Sequence, residues 1–236
     1  MKFAAEIGLN HDGSFDLACE LVRQAGLAGA DFAKFQFGWR GNPGEINHFE
    51  RDQWVALKQW CDYVGIEMLA SIFAEDALEL ADTLNLSAYK IASRTVVSAP
   101  ALCERILARR RPTYVSLGAW DRSEFPFGPP DGSLLHYVYC RSKYPTQPAD
   151  LASMPAKFSE DGFSGYSDHS LGIDTCLTAV ARGARYVEKH FTLDKTSQVI
   201  RDHVLSASPQ EFRQLVDLGR PMARFVALCG AAASRG

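Results

Sequence analysis

Gly165-Tyr166-Ser167-Asp168-His169-Ser170-Leu171-Gly172 closes one short apolar run, and Glu188-Lys189-His190-Phe191-Thr192 closes the next. Residues 173–182 between them carry helical spacing, so the stretch reads strand, helix, strand, the signature of two parallel strands joined by a crossover. Each strand ends in a histidine beside an acid. Two such ends can aim two imidazoles at one point, and in a closed barrel of parallel strands that point lies on the face that carries chemistry.

The same unit recurs in both directions along the chain. Strands are expected over 3–9, 31–37, 66–71, 87–93, 113–117, 134–140, 162–167 and 184–190. Helices are expected over 15–27, 50–64, 75–84, 99–110, 149–158, 173–182 and 209–228, the first capped at Ser14 and the last from 206–208. Residues 120–132 hold three prolines and two glycines without helical period, so the fifth helix is expected to be missing, and 230–236 to fray. Eight strands alternating with about seven helices in 236 residues point to one (β/α)8 TIM barrel spanning 1–236. The rival, an open doubly wound sheet, would carry a glycine-rich nucleotide loop after the first strand, and Gly8-Leu9-Asn10-His11-Asp12-Gly13 is not GxGxxG.

Hydrophobic residues make up 47% of the chain, enough for a large core, and the net charge of -3 has both signs spread along it. No basic stripe suits nucleic acid or an anionic membrane. The six cysteines are scattered without a CxxC pair, which reads as reduced thiols in a cytoplasmic protein. The N-terminus has no apolar signal core, and no later run approaches membrane-spanning length.

On the barrel reading, the strand ends collect Glu6, Asn10, His11, Lys34, Gln36, Ser71, Lys90, Ser93, Arg141, Tyr144, Ser167, Asp168, His169, Glu188 and His190. Lysines on two strands with hydroxyls beside them supply positive charge and directional donors, so an anionic small substrate is expected. Lys34 and Lys90 equally fit a structural role, salt-bridged to Glu6 or Glu188 inside the mouth. His169 and His190 are the metal-ligand candidates, with Asp168 and Glu188 as the carboxylates that orient their rings. Two histidines without a third soft ligand suggest an open site completed by water or substrate oxygens. His48, His136 and His203 read as surface or satisfied histidines. Ser167, Asp168 and His169 are too close in sequence for a hydrolase triad, and no GxSxG is present. A Schiff-base aldolase using Lys90 or Lys189 stays open.

Six motifs in order then resemble the N-acetylneuraminate (sialic acid) synthase family. They are Ala5-Glu6-Ile7-Gly8-Leu9-Asn10-His11-Asp12-Gly13, Ala30-Asp31-Phe32-Ala33-Lys34-Phe35-Gln36, Ala88-Tyr89-Lys90-Ile91-Ala92-Ser93, Tyr144-Pro145-Thr146, Gly165-Tyr166-Ser167-Asp168-His169, and 188–195. The resemblance covers nearly the whole chain and implies a metal-dependent condensation of phosphoenolpyruvate with a sugar aldehyde. The product would be a 2-keto-3-deoxy acid, with phosphate released. It implies His169 and His190 as ligands of a divalent metal, Mn²⁺ first, with Mg²⁺ or Co²⁺ as alternatives. It further implies Lys34, Ser71, Lys90, Ser93, Ser142 and Ser167 as the phosphoenolpyruvate cradle, Glu6, Lys34, Lys90, Asp168 and Glu188 as catalytic groups, and Gln36, Tyr144 and Asp202 on the sugar. The family's bacterial members are dimers, so a homodimer is the assembly the resemblance allows.

Three departures qualify that picture. The family continues its lysine strand as Ser-Gly-Glu, with the glutamate on the sugar, whereas Ser93 here is followed by Arg94 and Thr95. An arginine there prefers an anion, so Arg94 joins the acceptor candidates and the acceptor is expected to carry a carboxylate or phosphate. Ser142-Lys143 replaces an asparagine and adds a cation. The family's C-terminal antifreeze-like domain is expected to be lacking. Two further readings remain: another lyase or aldolase on the same barrel, and a non-catalytic barrel that binds an anion.

Overall fold

The structure, a computed structural model, describes residues 1–233. Strands β1 (Lys2–Glu6), β2 (Phe32–Phe37), β3 (Glu67–Ile72), β4 (Tyr89–Ile91), β5 (Thr113–Ser116), β6 (Leu135–Cys140), β7 (Phe163–Asp168) and β8 (Tyr186–His190) pair in chain order. Every pairing is parallel, and β8 returns to β1 to close the barrel. The expected (β/α)8 architecture is the observed one.

Period-two alternation builds both cores. On β2, Phe35 and Phe37 face outward into the layer between sheet and helices, while Phe32, Lys34 and Gln36 point into the barrel. Phe32 joins Ala4, Leu69, Ala88, Val138 and Tyr186 in a separate apolar plug, with Tyr114 stacked on Tyr186 at 4.2 Å. That plug is the floor on which the charged groups stand.

The outer layer comprises α1 (Phe15–Leu27), α2 (Arg51–Val64), α3 (Glu75–Thr83), α4 (Ser93–Ser98), α5 (Pro100–Leu107), α6 (Asp174–Ala181) and α7 (Pro209–Ala233). Ser14 Oγ accepts from Leu17 N at 3.2 Å, capping α1 as expected. Ser208 and Glu211 cap α7 reciprocally, Glu211 N donating to Ser208 Oγ and Ser208 N to Glu211 Oε2. No described helix is long and apolar enough to cross a membrane.

Several boundaries differ from expectation for local reasons. The strand expected over 3–9 stops at Glu6, because the chain turns at Gly8 with φ +54°. The helix expected over 99–110 is α5, ending at Leu107, and an unexpected short helix, α4, precedes it, the two parted at Ala99 before Pro100. The helix expected over 149–158 is only a 3-10 turn, Pro148–Leu151, in a window that contains Pro155. The end expected to fray at 230–236 is helical as far as Ala233, and 234–236 lie outside the described residues.

The helix expected to be missing after β5 is indeed absent. Residues 117–134 cover the wall with rings: Phe125 stacks on Tyr137 at 4.2 Å and meets Phe163 edge-on at 5.6 Å. Tyr137 Oη donates to the carbonyl of Gly128 and accepts from Phe127 N, tying the loop down.

Candidate active site

A cavity of about 620 Å³ opens where the strands end, and most of the expected residues line it. Its first corner is built by β1 and β2, whose register places Glu6 beside Lys34. Lys34 donates to Glu6 Oε2, and Gln36 Nε2 donates to Glu6 Oε1 at 2.8 Å. A Cβ on Gly8 would lie 3.0 Å from Glu6 Oε1 and 3.1 Å from Gln36 Nε2, so glycine is needed for space as well as for its positive φ.

Glu188 is the hub of the floor. Its carboxylate lies 3.7 Å from Lys34 Nζ and 3.7 Å from Lys90 Nζ, and it accepts from Ser167 Oγ at 2.8 Å and Tyr186 Oη at 2.5 Å. Lys90 also donates to Ser116 Oγ at 2.6 Å. The structural and ligand-binding roles weighed for the lysines are therefore not exclusive, since both ammoniums are paired and both face the cavity.

Burial drives the titration of this group, with neighbours deciding its sign. Glu6 is pushed up by burial and by the charge on Glu188, against the pull of Lys34. Glu188 is buried too, but the two lysines and two hydroxyls hold its carboxyl far below the usual range. Burial lowers Lys90, while Lys34 ends raised because two carboxylates outweigh its desolvation. Of the two glutamates, Glu6 is the one shifted toward its protonated form.

The third wall comes from β4 to β6. Ser93 Oγ accepts from Gly118 N at 2.8 Å and sits 3.1 Å from Cys140 Sγ, with Ser142 on the same side of the cavity. Ser71 lies beside Lys90 through the β3–β4 register.

His169 and His190 stand at the ends of β7 and β8, ring centroids 5.5 Å apart, with Tyr144 4.1 Å from His169. Burial, reinforced by the neighbouring His190, pushes His169 down to about 4, and burial lowers His190. Both rings are neutral at pH 7. His169 Nδ1 lies 2.7 Å from the Arg141 carbonyl, which can only accept, so Nδ1 carries the hydrogen and Nε2 keeps its lone pair. His190 Nδ1 is buried without a partner, a nitrogen that a cation would satisfy. Among the described residues no group of three or more His, Cys, Asp or Glu gathers to hold a metal. The two neutral imidazoles thus fit a divalent ion whose remaining ligands are water or substrate oxygens.

Expectations for four residues are corrected. Asp168 was expected to orient a histidine and to serve catalysis, and Glu188 to orient the other ring. Alternation along β7 and β8 instead turns Asp168 and Lys189 to the outside of the wall, where Asp168 Oδ2 accepts from Lys189 Nζ at 2.6 Å. Asp168 does not line the cavity, Lys189 is not available for a Schiff base there, and Glu188 faces the lysines rather than a ring. Lys143 adds no cation to the cup, because it is drawn to Asp150 at 2.9 Å on the surface.

Gln36, Arg94, Tyr144 and Asp202 all line the cavity, and the Arg94 guanidinium lies 4.6 Å above the Trp39 ring. Thr95, the other residue after Ser93, is buried.

Comparison with known proteins accords with this geometry. The NeuB family model matches residues 45–227. The chain belongs to the NeuB family. It is therefore a sialic acid synthase-like enzyme of the phosphoenolpyruvate-dependent synthases, whose members are metal-dependent. It is 33% identical to human N-acetylneuraminate-9-phosphate synthase, over 90% of this chain and 67% of the human protein. It is 29% identical to N,N'-diacetyllegionaminic acid synthase of Legionella pneumophila, over 90% of this chain and 69% of that protein. Among solved structures, the N-acetylneuraminic acid synthetase of Leptospira borgpetersenii in complex with citrate superposes with a TM-score of 0.80 at 29% identity, covering 95% of this chain and 84% of that one.

This NeuB-family barrel also contains cavity residues that sequence reading passed over: Ser116, Cys140, Trp39 and Arg201. Ser116 had a readable signal, an inward position at the end of β5. Arg201 had none, since it stands on a 3-10 turn, Arg201–Leu205, in the loop after β8, with its guanidinium 4.5 Å above Tyr144.

Proposed function

We propose that this NeuB-family barrel condenses phosphoenolpyruvate with the aldehyde of an open-chain sugar, giving a 2-keto-3-deoxy sugar acid and phosphate. The observation that carries the reading is the convergence on one cavity of two buried lysines, a set of hydroxyls, two glutamates of opposite titration and two neutral imidazoles. Lys34 and Lys90 receive the phosphate and carboxylate oxygens, with Ser71, Ser93, Ser142 and Ser167 as directional donors. Glu188 is held too acidic to be a useful base, so its part is to fix the two ammoniums. Glu6, shifted by burial toward its protonated form, is the group assigned to deliver a proton to the aldehyde oxygen as C3 of the enol ester bonds to the aldehyde carbon. Water then adds at C2, and phosphate leaves to give the ketone.

His169 and His190 would hold a divalent ion, Mn²⁺ by the family resemblance, whose chemistry is Lewis-acid polarisation of an oxygen. Tyr144, Gln36 and Asp202 line the acceptor side. Arg94, its guanidinium carbon 4.6 Å from the Trp39 ring centroid and without an ion-pair partner among the described residues, keeps donors for an anionic group on the acceptor.

The test is phosphate release from phosphoenolpyruvate across a panel of aldehydes, with and without Mn²⁺, with products read by mass. Release that requires both an aldehyde and the metal supports the synthase. Release that needs neither, or borohydride trapping of substrate on Lys90, refutes it in favour of another lyase or Schiff-base chemistry.

A further inference from the structure

The motifs Ser167-Asp168-His169 and Glu188-Lys189-His190 use both faces of the barrel wall, and the chemistry above accounts for only one. On the outer face, Asp168 and Lys189 are neighbours in register and each is 1% exposed. Their bonding is unusually complete. Asp168 Oδ2 accepts from Lys189 Nζ at 2.6 Å, and Oδ1 accepts from Tyr166 Oη at 2.7 Å, Ser170 N at 3.0 Å, Ser170 Oγ at 2.8 Å and Thr175 Oγ1 at 2.9 Å. Lys189 Nζ also donates to the Ser170 carbonyl at 2.5 Å. Both backbone polar groups of Ser170, the residue after His169, therefore end on this one ion pair.

A buried ion pair adds little net stability compared with apolar side chains of the same volume. What it adds here is direction, because a one-residue slip of β7 against β8 would turn Asp168 and Lys189 to opposite faces, while the bonds from Tyr166, Ser170 and Thr175 hold Asp168 within its own segment. The site above needs that direction. The His190 ring has no hydrogen-bond partner at Nδ1, so its placement comes from its backbone and from ring packing against His169 and Tyr144. That backbone is held by Lys189 on one side and by Ala207 N donating to the His190 carbonyl at 2.7 Å on the other.

We propose that the Asp168–Lys189 pair is a positioning device for metal binding: it locks β7 to β8 on the outer face and so sets the separation of the two imidazoles on the inner one. The inference rests on His169 and His190 being the metal ligands. Asp168 and Lys189 touch neither substrate nor metal and act only through the strands that carry the histidines.

The experiment measures two dissociation constants on the full chain: Mn²⁺, from the electron paramagnetic resonance signal of the free ion, and phosphoenolpyruvate, by calorimetry in the presence of EDTA. Asp168→Asn and Lys189→Met are each expected to weaken Mn²⁺ binding by about 10- to 100-fold, the range for groups that orient metal ligands. Phosphoenolpyruvate affinity should fall clearly less than Mn²⁺ affinity, since both histidines follow directly on β7 and β8 whereas only Ser167 and Glu188 of the phosphoenolpyruvate side stand there, Lys34, Ser71, Lys90, Ser93 and Ser142 being carried by other strands and loops. The double variant should be no worse than the weaker single one, because a pair acting as a unit is lost once. Should Lys189→Met not fold, Asp168→Leu with Lys189→Met replaces the pair by apolar residues, and the same readings decide. Mn²⁺ affinity within twofold of wild type, equal losses for both ligands, or additive losses in the double variant would overturn the inference. A wild-type protein that binds no Mn²⁺ overturns the metal assignment itself, and this inference with it.

Discussion

Replacing Glu188 by glutamine removes one charge from the centre of the cup while keeping its shape, and the structure says where the loss falls. Lys34 keeps its bond to Glu6, whereas Lys90 is left with the Ser116 hydroxyl alone. Breaking a buried ion pair from one side costs about 3–5 kcal/mol. A ceiling follows independently: Lys90 can shed its proton, and discharging a lysine of ordinary pKa ~10.4 at pH 7 costs about 4.6 kcal/mol. Urea unfolding at pH 7 should therefore show Glu188→Gln about 3–4.5 kcal/mol less stable than wild type. Burial already lowers Lys90, so the folded variant gives up that proton before the unfolded chain does. The unfolded state then binds more protons, stability rises with pH, and the deficit should narrow between pH 7 and the ordinary lysine value of 10.5. Phosphoenolpyruvate supplies the missing negative charge and should stabilise the variant more than the wild type. A variant within about 1 kcal/mol of wild type, or one stabilised equally by the ligand, would refute the hub assignment.

Three further outcomes are expected. His169→Ala should abolish metal-dependent phosphate release and weaken Mn²⁺ binding, read by activity and by the free-ion signal; normal turnover would remove this residue from the ligand set. Arg94→Ala should raise KM for an anionic acceptor about tenfold, the loss of one charge-assisted contact, with KM for phosphoenolpyruvate nearly unchanged; equal effects would count against the acceptor role. Gly118→Ala places a Cβ 2.5 Å from Cys140 Sγ and 2.7 Å from Ser142 Oγ. Such overpacking costs about 1–3 kcal/mol, and thermal melts should show Cys140→Ala recovering part of it; a neutral Gly118→Ala would mean the wall yields.

The barrel was legible because period-two strands and 3.6-period helices alternate along most of the chain, and because strand ends are marked by lysine, serine and histidine in otherwise buried runs. Glu6, Lys34, Lys90, His169 and His190 could be placed on one mouth from that pattern alone. Facing was harder. Asp168 sits between two inward residues, and only the register of β7 with β8 reveals that it points out to Lys189. Trp39 and Arg201 escaped notice because they stand in loops, where no period tells which way a side chain turns. Around Pro148 the residue types suit a helix, but Pro155 cannot sit in its interior, and the chain makes only a 3-10 turn.

The sector between β5 and β6 shows how little of a barrel's outer layer must be helix. Parallel strands need their outer face covered, and here Phe125, stacked on Tyr137 and edge-on to Phe163, does so with three rings and one anchored hydroxyl. Cover of that kind is concentrated: a helix spreads its contact over several turns, whereas this patch rests on the few rings Trp120, Phe125 and Phe127, so the loss of one removes a large share of it.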